Sequence, residues 1–340
     1  MAQSIRTQAE LANELGLSRM TVQRALAGYP GVSEATRRRV FEAAQNHGYR
    51  PNAAARTMRT GKFGNVALLG AAEEGAGFLP RLLLSGAQQV AMENDTCVMV
   101  SEHACNEFED EHFEPPALKQ WSADGLLINI QQGVSDKLYN HVRAYKLPAV
   151  WLNVKLKSDC VRPDDHDAGY RAATMLMEAG HKHIGYVSHH GERHYSIDDR
   201  GQGVADAVND AGFKLTFNKH YDGFSICLGM ENVMQWIQSP RRPTGVVCYE
   251  QQEAVCVYTA AMKLGLRVPE DISIICFASS PCRIATGLPI STLVVPFEQV
   301  GRAAMTMLLD WIDTGKGDNA PIALPFDYDE AGSVVSPAGI

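Results

Sequence analysis

The chain has no apolar run of about 18 residues, which excludes an ordinary membrane-spanning helix. Its first residues are polar or basic where a signal peptide needs an apolar core, so a cytoplasmic protein is expected. The eight cysteines, at 97, 105, 160, 227, 248, 256, 276 and 282, form no paired CxxC, which removes the usual zinc spacings. Those set in apolar runs, Cys97-Val-Met-Val and Ile-Ile-Cys276-Phe, read as buried reduced thiols. No nucleophile elbow, phosphate loop or catalytic carboxylate pair stands at a usable spacing, so neither an enzyme nor a cofactor is expected. Gly201-Gln-Gly203 lacks both a third glycine and a preceding strand, so it is not a dinucleotide loop. The stretch His189-His190-Gly-Glu192-Arg193-His194 is rich in metal-ligand types, but neither an HExxH helix nor cysteines accompany it, and it reads as a polar loop after a strand.

What is present is 340 residues of ordinary soluble composition, 45% apolar and 21% charged, which calls for two or three domains. The net charge of −8 conceals a division by sign. Residues 1–62 hold ten Lys and Arg against four Glu, a net of +6, which leaves −14 for the rest. A basic head on an acidic body suits a small module that meets phosphates and a large one that does not.

Within the head, Thr7 followed by Glu10 makes a capping box, Leu11 and Leu15 give a first helix its apolar face, and Gly16 permits a left-handed turn. Ser18 then caps a second helix carrying Val22, Ala25 and Leu26. Helix, glycine turn, helix is the pattern of a DNA-reading motif, in which the N-terminal residues of the second helix enter the major groove. Here those residues are Arg19, Met20, Thr21, Gln23 and Arg24. A third helix runs from Ser33 to about His47 with Val40, Phe41 and Ala44 inward. Beyond Pro51, the segment Ala53 to Gly61 has helix propensity but too few apolar residues to hold a helix unaided.

From Asn65 the texture alternates. Strand-length apolar runs occur at 66–69, 97–100, 126–130, 149–152, 184–187, 246–248 and 272–277, separated by segments of helical length. This predicts parallel sheets covered by helices, arranged as two lobes with a cleft at the carboxyl ends of the strands.

The head elements Glu10-Leu-Ala, Gly16-Leu-Ser18, Thr21-Val22, Arg24, Val32-Ser33-Glu-Ala-Thr36-Arg37, Gly48-Tyr-Arg-Pro51-Asn52 and Ala55-Arg56 resemble the lactose/galactose repressor (LacI/GalR) family. So do Asp124-Gly125-Leu-Leu-Ile, Asp165-His166-Asp-Ala-Gly169, Gly180-His181-Lys-His-Ile184, Arg200-Gly-Gln-Gly203, Val268-Pro269-Glu-Asp271-Ile-Ser273 and Gly301-Arg-Ala-Ala304. The resemblance implies an all-α helix-turn-helix head over 1–49, a hinge helix over 50–62, and a two-lobed α/β domain of the periplasmic-binding-protein kind over 63–340. Its first lobe would take about 63–162 and 293–325, its second about 163–292 and 326–340. It also implies a homodimeric operator-binding regulator, a repressor rather than an activator, controlled by a small molecule. Ser18, Arg19, Met20, Thr21, Gln23 and Arg24 would meet a pseudo-palindromic DNA operator, with Asn52, Ala55, Arg56 and Met58 of the hinge in the minor groove. Met58 stands where the family's wedge is usually Leu, Gln23 replaces a usual Ser and Ala27 a usual Asn. The implied effector residues are Phe78, His166, Arg200, Phe224, Gln251 and Ala278. Among them His166 stands at an Asn or Asp position, Gln251 at an Asp position, and Ala278-Ser279 at an Asp pair. Losing carboxylates there removes acceptors for neighbouring hydroxyls, and Arg200 with His166 leaves an acidic carbohydrate open beside a neutral one. An effector-independent regulator, and a sugar-binding or sugar-modifying protein with a DNA-binding head, are the remaining alternatives.

Overall fold

The computed structural model describes residues 5, 7–49, 57, 61–71, 79–103, 107, 110, 115, 119, 123–129, 134, 136–144, 146–189, 194–219, 226–283 and 289–337. They fall into two compact units, Met1–Gly64 and Asn65–Ile340.

In the first unit, local chemistry places each helix start. The Glu10 amide donates to Thr7 Oγ1 at 3.2 Å and the Thr7 amide to Glu10 Oε2 at 3.3 Å, which opens α1 (Gln8–Leu15). Gly16 ends it at φ 64°, a conformation that costs glycine little. Ser18 caps α2 (Arg19–Leu26), and Ser33 caps α3 (Glu34–Asn46). The three helices bury Leu11, Val22, Ala25 and Val40 completely, with Ile5 and Tyr49 closing the small core. Phe41, expected on the inward face, is 50% exposed. It follows Val40 by one residue, about 100° round the helix, and only one of the two can point inward.

The second unit contains two sheets. The first is built from β1 (Asn65–Ala71), β2 (Cys97–His103), β3 (Gly125–Asn129), β4 (Ala149–Leu152), β5 (Cys160–Pro163) and β12 (Ile322–Leu324). Its order is β12-β5-β4-β3-β1-β2, with every pairing parallel. The second holds β6 (His183–Ser188), β7 (Lys214–Lys219), β8 (Gly245–Cys248), β9 (Ser273–Ala278), β10 (Cys282–Arg283), β11 (Pro289–Val294) and β13 (Asp327–Asp329). Its order is β10-β11-β9-β8-β6-β7, with β13 added antiparallel on β11. Central strands such as β3 and β8 are buried at every residue, because helices cover both faces of a parallel sheet.

The chain crosses from one sheet to the other after β5, after β11 and after β12. Helices α4 (Arg81–Glu93) and α10 (Phe297–Thr314) pack on one face of the first sheet, and α5 (Asp136–Ala144) contributes Leu138 and Val142 to the core of the other. The second sheet carries α6 (Asp165–Glu178) and α7 (Tyr195–Asp210) on one face, and α8 (Ile226–Ile237) and α9 (Gln251–Lys263) on the other. The α6–α7 crossing needs glycine, since a Cβ on Gly203 would lie 2.1 Å from the His166 carbonyl oxygen. Gly203→Ala is therefore expected to lower unfolding stability by about 2 kcal/mol, within the usual range for overpacking, and a shifted urea midpoint measures it.

Three histidines of this unit make its stability sensitive to acid. His181 is wholly buried with Nδ1 on the Thr244 hydroxyl at 3.0 Å, and burial lowers its pKa. Burial likewise lowers the pKa of His183, beside Lys214, and of His194. A base with a depressed folded pKa leaves the unfolded chain holding more protons below the ordinary value of about 6.5, so its contribution is complete above that pH and is lost on acidification. Urea unfolding at pH 7.5 and 5.5 is expected to show the loss, and His181→Asn to shrink the difference between the two.

Candidate nucleic-acid face and ligand cleft

On α2, burial of Val22 and Ala25 fixes which residues look outward. Arg19, Met20 and Arg24 are exposed, with Thr21 and Gln23 partly covered. The Ser18 hydroxyl accepts from the Thr21 amide at 3.0 Å and shares a hydrogen bond of 2.8 Å with the Thr21 hydroxyl, so Thr21 is tied to the cap. The basic residues divide by role. Arg37 donates to the carbonyls of Ala25 at 3.1 Å and Tyr29 at 3.0 Å, and Arg39 to that of Leu15 at 3.4 Å, which satisfies the ends of α2 and α1. Arg38, between them in sequence, stays exposed. The hinge positions Asn52, Ala55, Arg56 and Met58 lie outside the described residues, as do Phe78 and Phe224 of the expected pocket.

In the second unit, polar side chains gather where strands end and helices begin. Arg200 on α7 is 6% exposed; its Nε donates to Asp165 Oδ1 at 2.8 Å and its Nη1 to the Tyr249 carbonyl at 3.1 Å. Its guanidinium lies 4.7 Å from the ring centre of Tyr249 and 4.8 Å from that of Phe277. His166, one residue along from Asp165, turns the other way, to Asp206 of α7 at 2.8 Å, on a half-exposed helix surface. Gln251 is the exposed first residue of α9, and Ala278 is the last residue of β9.

Several residues of this cluster were not singled out by sequence. Asn153, just past β4, donates from Nδ2 to Asn129 Oδ1 at 2.7 Å, and its carbonyl accepts from His194 Nε2 at 3.2 Å. A carbonyl can only accept, so Nε2 carries the proton and Nδ1 receives the Ser196 amide at 3.3 Å, capping α7. The Ser196 hydroxyl lies 2.6 Å from the same Nδ1 and 2.8 Å from the Tyr249 hydroxyl. Lys155 pairs with Asp199 and lies 5.6 Å from the Tyr195 ring centre. Together these contacts join the lobe of the first sheet to the lobe of the second. The available signal was the loop ending in His194 and the aspartate of Asp165-His166, but neither spacing states a partner.

Among the described residues Asn153 Oδ1 and the Ser188 hydroxyl are buried here without a hydrogen-bond partner, while the Tyr195 hydroxyl is held by the Asp165 carboxylate. Burial first, and then the Asp165 charge, push the Tyr195 phenol well up. Buried polar groups in folded proteins are nearly always satisfied, so two orphans at the ends of β4 and β6 fit a site that a polar ligand completes. Among the described residues two charge pairs lie here, Arg200 with Asp165 and Lys155 with Asp199.

Comparison with known proteins bears on the fold of both units. A family model for bacterial regulatory proteins, lacI family, matches residues 7–52, and one for the periplasmic binding protein-like domain matches 173–333. The transcriptional regulator RegA of Clostridium saccharobutylicum is 26% identical over 98% of this chain and 100% of its own. Catabolite control protein A of Priestia megaterium is 24% identical over 93% of this chain and 95% of its own. The crystal structure of the Lac repressor dimer bound to operator and the anti-inducer ONPF superposes with a TM-score of 0.77, covering 98% of this chain and 100% of that one at 20% identity. With the head, the two-lobed body and the order of elements all matched, the chain belongs to the lacI family of bacterial regulatory proteins.

Proposed function

We propose that the protein is a homodimeric repressor that reads a pseudo-palindromic operator with α2 and whose hold on DNA is set by a small uncharged polyhydroxyl ligand between the two lobes. The observation that carries the DNA reading is the outward face of α2, where Arg19, Met20 and Arg24 are exposed while Arg37 and Arg39 are spent on helix ends. Arginine suits guanine edges and phosphates alike, and two copies related by a twofold axis double each contact. The neutral ligand follows from the cleft's charges. Arg200 already faces a carboxylate, so an anionic ligand would bring a second negative group beside Asp165, whereas ligand hydroxyls can donate to Asn153 Oδ1 and exchange a hydrogen bond with the Ser188 hydroxyl.

Ligand control requires different affinities for the two states, so an inducer must favour the arrangement that cannot hold the operator. The contacts His194 to Asn153 and Lys155 to Asp199 are those a change in lobe closure would make or break. Selection of DNA from a random pool by the full chain should yield a two-half-site operator bound with a steep salt dependence. A thermal-shift panel of neutral sugars, nucleosides, uronates and sugar phosphates should stabilise with a neutral class. Stabilisation by the acidic classes alone would remove the neutral reading and leave the DNA reading standing.

A further inference from the structure

Among the described residues of the head three large hydrophobic side chains are at least half exposed, Met20, Tyr29 and Phe41, and of these Met20 alone lies on α2. It is the second residue of α2 and 57% exposed, outside the cluster that Leu11, Val22, Ala25 and Val40 form. Beside it stand exposed Arg19 and, one turn on, Arg24. Thr21 is turned to the Ser18 hydroxyl and Val22 is wholly buried, so within the first turn the outward side chains are Arg19 and Met20. An unbranched thioether has three rotatable bonds and no strong donor or acceptor.

We infer that Met20 reads a pyrimidine C5-methyl group in the major groove, thymine's or that of 5-methylcytosine, and so sets one position of each half-site. The inference rests on α2 being the DNA-reading helix. The groups that base pairs present in the major groove are hydrogen-bond donors and acceptors, apart from the C5-methyl and the much smaller C5–H of cytosine, so the C5-methyl is the apolar group with surface enough to cover. Met20 packed on the polar groups strips them of water and returns no hydrogen bond, which costs affinity. Against the methyl group the same side chain removes apolar surface of both partners from water. The neighbouring arginines cannot supply this contact, since they select guanine or phosphate. The head thus divides its reading between charged and apolar side chains on one helical turn.

The gain from one methyl corresponds to about fourfold in affinity per half-site, and about fifteenfold when both half-sites of a dimer are changed. The test uses the full chain and the operator it selects from a random pool. Each thymine is replaced in turn by deoxyuridine, which deletes the methyl and leaves every hydrogen-bonding group in place. One position per half-site is expected to lose about fourfold, the loss is expected to vanish in Met20→Ala, and Met20→Leu is expected to retain it. At that position 5-methylcytosine is expected to bind more tightly than cytosine. Deoxyuridine tolerated at every position, or a loss of equal size in Met20→Ala, would overturn the inference while leaving DNA reading by α2 intact. Selection of no operator at all would overturn the regulator reading and this inference with it. Met20 is exposed, so an unchanged melting temperature in both variants shows that the readout is recognition and not folding.

Discussion

Arg200→Ala is expected to lower unfolding stability by about 3–5 kcal/mol and to abolish ligand-induced stabilisation. The size follows from what remains behind. Asp165 is 1% exposed and its Oδ1 takes the Arg200 Nε at 2.8 Å, so removing the guanidinium leaves a buried carboxylate without its counter-charge. The Tyr249 carbonyl also loses its donor, and the rings of Tyr249, Phe277 and Phe326 lose the plane that packs against them. Breaking a buried pair costs more than the pair is worth, so Arg200→Met combined with Asp165→Leu is expected to be less damaging than the sum of the two single changes. Urea unfolding of the four proteins measures that coupling. Additive single effects would show that Arg200 and Asp165 do not act as a pair.

The same residue shows where sequence reasoning stopped. Arg200 stands at a position that the resemblance marks, yet its carboxylate partner stands 35 positions earlier in the chain, a separation that only the fold closes. His166 looked like the polar group of Asp165-His166 that would face a ligand. On a helix the two neighbours point about 100° apart, and it is Asp165 that turns inward to Arg200 while His166 meets Asp206. Capping signals fared better because their chemistry is local: Thr7, Ser18 and Ser33 each accept an amide three residues on. Long apolar strands are equally plain, since a parallel strand covered on both faces is mostly apolar, whereas β11 buries Ser291 and Thr292 and breaks the pattern. Edge strand β7, with exposed lysines at both ends, and β13, Asp-Tyr-Asp, carry no such run, and β12, though apolar, is only three residues long. The head's charge count was right in sign but said nothing of use, and three consecutive arginines at 37–39 turned out to be two helix-end donors flanking an exposed one.

That division of labour yields the second large effect, a contrast between two arginines of one head. Arg24→Ala is expected to cost about 1–3 kcal/mol of operator affinity and to relax the preference at one base pair, with the melting temperature of the head unchanged. Its side chain is exposed on α2, so removing it deletes a contact with DNA and little within the protein. Arg37→Ala is expected to do the reverse. The Ala25 carbonyl in the last turn of α2 and the Tyr29 carbonyl in the loop beyond lose a charged donor, the helix that carries Arg24 loosens, and the head loses about 1–2 kcal/mol of stability. Operator and random DNA then weaken together, because fewer heads are folded and the preference among sequences is untouched. Binding to the selected operator and to single-base variants, read beside melting of the head, separates the two. Should Arg24→Ala weaken all sequences equally and shallow the salt dependence by about one ion, Arg24 is a phosphate contact, and base reading passes to Arg19, Met20 and Gln23. Should Arg37→Ala alter base preference with no change in stability, the hydrogen bonds to Ala25 and Tyr29 do not hold the helix, and the count of groove-facing cations rises by one.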